Sequence, residues 1–195
     1  MVEGVFMYNS VEEAIHFMVK ANKGQKRKNE NIDKSFHSMS VGMMIKNTTQ
    51  SDDVVVAAIL HDIIKDTEYG YEDIEEKFGT LVADMVADLS EDMGLPKWID
   101  RKKDYLKRIR NNGDINVINI MVADKLHNLL SDYELFTKID DKVWKYSKAT
   151  KVENAWFYKE CYNIARKKKA NNVLLKRYKE ILEIYFGEID DEDEN

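Results

Sequence analysis

The chain has 195 residues, 44% hydrophobic and 34% charged, with a net charge of −6 and one cysteine. That apolar content suits one domain with a substantial core and excludes a disordered chain, and no apolar run reaches the ~18 residues of an ordinary membrane helix. Cys161 alone excludes an intrachain disulfide or a cysteine-type zinc site, and the N-terminus lacks the basic and apolar segments of a secretory signal, so a reducing cytoplasm is the expected compartment.

One Pro and eight Gly interrupt the chain, too few breakers for a turn-rich β fold. Ser10 with Glu13 reads as a capping box that opens a helix to about Lys23, with Val11, Ala14, Ile15, Met18 and Val19 on its inner face. Residues 24–33 read as a polar loop. A helix over 34–47 carries Phe36, Met39, Met43 and Met44 as apolar positions. Ser51 or Asp52 caps a third helix that ends near Lys65, and Thr67–Gly70 is a turn. Tyr71–Phe78 is a short helix stopped by Gly79, and Thr80 caps the next, with Leu81, Val82, Met85, Val86 and Leu89 at helical spacing. A loop over 94–97 precedes a charged amphipathic helix from Trp98 to about Arg110. Asn111–Asp114 is a strong turn signal. A buried helix follows over 115–133, then a short one over 140–146 and two more over 151–169 and 173–186. The expectation is one all-α domain of roughly eight to ten helices over residues 1–187. The nine methionines read as adaptable core filler.

Six acids lie within Glu188–Asn195, which reads as a solvated tail, and without it the body is neutral. The clusters Lys23–Lys28 and Arg166–Lys169 are local. No extended basic face points to duplex nucleic acid, and no membrane partner is expected.

The chemistry concentrates in a few residues. His61 and Asp62 are adjacent at the end of an apolar helical run. An Asp there needs a cation, a salt bridge or a capping role. Asp124 sits in the centre of the most apolar helix, where a carboxylate needs a partner. Lys125, about 100° around the helix, reads as a poor one, whereas Asn128 lies one turn on, on the same face. His37 stands at the head of the Met-rich helix. Two His and two Asp form a ligand mix suited to divalent ions such as Mn²⁺ or Fe²⁺, and such an ion supplies a water nucleophile at neutral pH. If the helix continues, Asp62 and Asp66 share one face and His61 and Lys65 another. This puts Asp66 near the attacking water, with Lys65 as a cation beside it. His16 reads as a surface or packing residue and His127 as a structural one.

In this order His37, His61-Asp62 and Asp124 resemble the HD-domain phosphohydrolases. More narrowly, the chain resembles the hydrolase domain of RelA/SpoT proteins, above all its small stand-alone versions. The segments that carry the resemblance are Gly24-Gln25-Lys26-Arg27-Lys28, Leu60-His61-Asp62-Ile63-Ile64-Lys65-Asp66-Thr67, Phe78-Gly79, Glu91-Asp92, Leu95-Pro96-Lys97 and Ala123-Asp124-Lys125-Leu126-His127-Asn128-Leu129. The resemblance covers about Ser10 to Lys169. The resemblance implies an all-helical HD-domain bundle with one Mn²⁺ held by His37, His61, Asp62 and Asp124. It implies removal of the 3′-pyrophosphate from ppGpp-type nucleotides, with Arg27 on the guanine base, Asn128 near the ribose, and Lys97 and Arg101 toward the outer phosphates.

Two departures bear on that expectation. The family's Glu-Asp after the His-Asp pair is here Lys65-Asp66, which reverses a charge beside the expected water. The family's Thr-Pro-Tyr-Ile-x-His-Pro segment is here Asn31-Ile32-Asp33-Lys34-Ser35-Phe36-His37-Ser38. They leave two alternatives open: an HD-type nucleotide phosphatase or pyrophosphohydrolase of different substrate, and a non-catalytic nucleotide-binding module.

Overall fold

The computed structural model describes residues 9–27 and 31–188. Lys28 and the acidic tail beyond Glu188 lie outside them. Among the described residues there are ten α-helices, one 3-10 helix and no strand, with one isolated bridge between Lys26 and Asp33. None of the helices is long and apolar enough to cross a membrane. Backbone contacts divide the chain into two compact units. The first holds the residues up to Lys26 with Ile32–Ser90, and the second holds Arg27 and Asn31 with Glu91 onward.

In the first unit, α1 (Ser10–Ala21) starts at Ser10, its expected cap, one residue earlier than expected, and of its expected inner face Ala14 and Met18 are buried while Val19 is exposed. Asn9, not Ser10, is the N-cap, and Glu12, not Glu13, closes the capping box. The Asn9 side chain accepts from the Glu12 amide at 2.9 Å, and the Glu12 carboxylate accepts from the Asn9 amide at 3.0 Å. The helices α2 (Ser35–Lys46) and α3 (Asp52–Leu60) follow, then α4 (Ile63–Asp66), α5 (Tyr71–Phe78) and α6 (Thr80–Leu89). Every residue from Val54 to Leu60 is buried. α3 is therefore the central helix of this unit, packed against α1, α2 and α6. Each fully buried Val, Ile or Leu there contributes about 1.5–3 kcal/mol relative to an exposed one. Met18 and Met85 fill core positions, but Met43 and Met93 are exposed, as is Phe36. The methionines are thus only partly core filler.

The second unit comprises α7 (Trp98–Asn111), α8 (Ile115–Ile139), the 3-10 helix (Asp140–Tyr146), α9 (Lys151–Lys167) and α10 (Asn172–Phe186). α8 runs six residues past its expected end and stops where Asp140 takes a left-handed φ of 52°. Its inner face, from Val117 to Leu129, packs against α9 and α10. Thr150 and Glu153 form the capping box of α9, and Asn171 caps α10.

Candidate metal centre

Asp33 fixes where α2 begins. Its carboxylate accepts from the Ser35 amide at 3.0 Å and the Ser35 hydroxyl at 2.6 Å. Those bonds, the hydroxyl first, hold the Asp33 carboxyl below its usual range. His37 therefore lies in the first helical turn with its ring buried. From the other side, α3 delivers His61 and Asp62 at its C-terminus. The helix does not run on to Lys65 as expected. It ends at Leu60, passes through His61 and Asp62 (φ −101°, ψ −1°), and α4 starts anew at Ile63. The His61 Nδ1 lies 2.8 Å from the Ala58 carbonyl. A carbonyl only accepts, so Nδ1 carries the proton, and in the neutral ring Nε2 keeps its lone pair.

That lone pair meets the other donors. The Nε2 atoms of His37 and His61 are 3.2 Å apart. Asp62 Oδ2 lies 3.5 Å from His61 Nε2 and 3.9 Å from His37 Nε2. The three residues offer ligand atoms within 4.8 Å of one another. An ion bound at about 2.0–2.2 Å from each ligand fits such spacings. The donor set, two imidazoles and a carboxylate, suits Mn²⁺, Fe²⁺ or Zn²⁺.

The two oxygens of Asp62 are divided. Oδ2 faces the histidines, and Oδ1 accepts from Lys65 Nζ at 2.6 Å. Lys65 also stands 3.7 Å from Asp66 Oδ2. Lys65 stands three residues after Asp62, a spacing that brings two side chains together on a helical turn, and so it meets Asp62. Asp66 Oδ2 is held by Lys34, which also reaches the Gln25 side chain at 3.4 Å. Gln25 in turn donates to the Asp66 carbonyl at 3.1 Å. Lys34 and Gln25 were not among the expected site residues. They meet Asp66 from 32 and 41 positions away, and no local pattern announces such a contact.

Asp124, Asn128 and Arg27 belong to the second unit. Asp124 is buried on α8, and its Oδ1 accepts from Asn128 Nδ2 at 2.6 Å. Lys125 proves a direct partner of Asp124, its ammonium on Oδ2, contrary to the expectation from helical angle. The long side chain bends back over the distance the angle opens, and burial gives it no water to turn to. It also lies over the Tyr105 and Phe157 rings, at 5.1 and 5.6 Å. Burial works to lower the Lys125 pKa, but Asp124, Tyr105 and Cys161 outweigh it, so the group stands well above its usual value. Arg27 donates to Asn128 Oδ1 at 3.3 Å. His127 is buried.

Arg101 lies further from its expected place. Expected to reach outer phosphates, it is buried and donates to the Leu95 and Pro96 carbonyls at 3.0 and 3.2 Å. It thereby ties down the loop before α7. Lys97, at the N-cap of α7, is exposed.

The family model described as "HD domain" matches residues 14–145, more than half of the chain. This chain belongs to the HD domain family. Among curated relatives it is 33% identical over 98 residues to the bifunctional (p)ppGpp synthase/hydrolase SpoT of Escherichia coli (strain K12), covering 48% of this chain and 14% of that protein. It is 30% identical over 120 residues to the guanosine-3′,5′-bis(diphosphate) 3′-pyrophosphohydrolase of Mus musculus, covering 60% and 66% respectively. This HD-domain chain thus spans about a seventh of the longer bacterial relatives. Its fold is similar to that of a metazoan ortholog of SpoT described as hydrolysing ppGpp, with a TM-score of 0.75, 21% identity, and coverage of 95% of this chain and 100% of that one. It is also similar to a protein of Listeria monocytogenes EGD-e, with a TM-score of 0.67, 28% identity, and coverage of 78% and 94%.

Proposed function

We propose that this HD-domain chain is a metal-dependent phosphohydrolase that removes the 3′-pyrophosphate from ppGpp or a closely related nucleotide in the cytoplasm. The observation that carries the reading is the convergence of His37, His61 and Asp62 within 4.8 Å, in a chain similar to named 3′-pyrophosphohydrolases. Those three residues hold the ion, and Asp124 is the proposed fourth ligand by family resemblance. Mn²⁺ is the proposed ion. When bound, a divalent cation there would supply a Lewis acid for the phosphoryl oxygens and would lower the pKa of a water so that it gives up a proton more readily and becomes the better nucleophile.

The protein side chains do the rest. Water adds to the phosphorus on the ribose 3′ oxygen, the bond between them breaks, pyrophosphate leaves, and the 3′ oxygen takes up a proton. Asp66, with Oδ2 clamped by Lys34, is the proposed acceptor of the water's proton at Oδ1. Arg27, whose planar guanidinium suits stacking, is the proposed base contact, and its bond to Asn128 supports placing that amide near the ribose. Lys97, exposed at the head of α7, is the proposed contact to the outer phosphates.

The test is pyrophosphate and GDP release from ppGpp by Mn²⁺-loaded protein, with Asp62→Ala as control. Stoichiometric release that the control lacks is expected. Intact ppGpp beside metal-loaded protein refutes the substrate. A second reading rests on Lys65 where the family carries Glu: a nucleotide phosphatase or pyrophosphohydrolase that does not require the 3′-pyrophosphate. Turnover of nucleotides lacking that group, in the same assay, would favour it.

A further inference from the structure

We infer that Lys65 is a positioning residue that limits Asp62 to one oxygen in metal binding. The inference rests on the reading of His37, His61 and Asp62 as a metal site. Its basis is how the Asp62 carboxylate is shared. Oδ2 faces both Nε2 atoms, at 3.5 and 3.9 Å, while Oδ1 accepts from the Lys65 ammonium at 2.6 Å. A carboxylate that gives both oxygens to one ion must turn its two lone-pair edges toward it. Here one edge is committed to a cation.

The commitment is built into the chain. Asp62 and Lys65 are three apart, and α4 is one short turn, so the ammonium returns over the carboxylate. Asp66 is a second carboxylate near Lys65, 3.7 Å from its Nζ, but its Oδ2 is already held by Lys34. Lys34, Asp66, Lys65 and Asp62 thus alternate in charge, and Lys65 keeps its shorter contact on Asp62. The Asp62 side chain is 15% exposed and that of Lys65 25%, so water screens the pair only in part.

Two consequences distinguish this role from packing. A fixed positive charge next to a ligand weakens cation binding, so neutralising Lys65 should tighten it. Freeing Oδ1 should also let Asp62 add a second oxygen, which raises the coordination number. The experiment titrates Mn²⁺ into metal-free wild type, Lys65→Met and Lys65→Arg by calorimetry, then records the visible d–d absorption of each protein loaded with Co²⁺. Thermal melts of the metal-free proteins confirm folding, and Lys65→Gln replaces Lys65→Met if the latter does not fold. Expected are Mn²⁺ binding at least about tenfold tighter in Lys65→Met, weaker Co²⁺ absorption as coordination rises, and wild-type behaviour in Lys65→Arg. Unchanged or weaker binding in folded Lys65→Met, with an unchanged Co²⁺ spectrum, overturns the inference and leaves the metal site standing. Absence of Mn²⁺ and Co²⁺ binding in wild type overturns both.

Discussion

Gly42 marks a close approach of α2 to α3. A Cβ at this position would stand 2.5 Å from Ile59 Cγ1 and 3.3 Å from Cδ1. The first distance is about 1 Å inside ordinary carbon–carbon contact. Cγ1 is attached directly to the Ile59 Cβ, and a β-branched side chain in a helix is held to one strongly preferred χ1 rotamer, so the contact is not relieved cheaply. Gly42→Ala therefore forces α2 away from α3. Overpacking of this kind costs about 1–3 kcal/mol, and Ala in place of Gly within a helix returns about 1 kcal/mol. The net loss is about 0–2 kcal/mol. At about 2–4 °C per kcal/mol for a chain of this size, the Tm falls by up to about 8 °C. The metal site is the more sensitive reporter. His37 lies on the same helix as Gly42, and His61 follows Ile59 by two residues. A displacement of about 0.5 Å exceeds the tolerance of about 0.2 Å in metal–ligand distances, and it acts on donors only 3.2 Å apart. Mn²⁺ affinity in Gly42→Ala should fall at least about tenfold. The assay pairs thermal melts with Mn²⁺ calorimetry on Gly42→Ala, Ile59→Ala and the double variant. The double variant removes Cγ1 and should regain metal affinity, although Ile59→Ala itself costs about 2–5 kcal/mol. A higher Tm in Gly42→Ala with unchanged Mn²⁺ binding would refute the reasoning, because helix propensity would then have outweighed contact.

Arg27→Ala and Asn128→Ala should raise KM for ppGpp more than they lower kcat, with combined effects less than additive because the two side chains touch; steady-state kinetics on the single and double variants checks this. Arg101→Met should destabilise the chain by about 1–3 kcal/mol in urea unfolding, since two bonds from a charged donor to the Leu95 and Pro96 carbonyls are lost. Lys97→Met, at an exposed position, should stay within about 0.5 kcal/mol of wild type. Burial pushes the Cys161 thiol up to about 12 from 9.0. A folded pKa raised above the unfolded one stabilises below pH 9 and is lost as pH climbs toward 12. Between pH 8 and 10 this amounts to about 1 kcal/mol. Cys161→Ala should remove that part of the alkaline slope in denaturant midpoints, and an identical slope in the variant would count against it.

Helix periodicity made most of the fold legible in the sequence. Alternating apolar and polar faces located α5, α6, α7 and α9 within a residue or two, because their cores and caps are local properties. Side-chain reach was the weak point. The angle around α8 separates Asp124 from Lys125, but a buried lysine has no solvent to turn to and bends back onto its neighbour. Arg101 has the chemistry of a phosphate ligand, yet the Leu95 and Pro96 carbonyls of the preceding loop claim it. Lys34 could not be read at all, since its partner Asp66 lies 32 residues on. That His37, His61 and Asp62 belong together as candidate ligands was legible because such residue types are rare in apolar surroundings and expensive to leave there.

The unforeseen break after Leu60 is what makes an adjacent His-Asp pair usable. In an unbroken helix neighbouring side chains leave the axis about 100° apart, so their tips diverge. At the break they converge instead, with His61 Nε2 3.5 Å from Asp62 Oδ2. A continuing helix would offer the Ala58 carbonyl to the amide of Asp62, but that carbonyl lies 2.8 Å from the imidazole Nδ1 of His61. The same contact that accompanies the end of α3 therefore sets the tautomer that frees Nε2. Ile63, fully buried just past the break, anchors the restart of the helix. The single turn of α4 then carries Lys65 back over the second oxygen of Asp62. Termination of one helix, choice of tautomer and orientation of the carboxylate are one local arrangement of eight residues, Ala58 to Lys65.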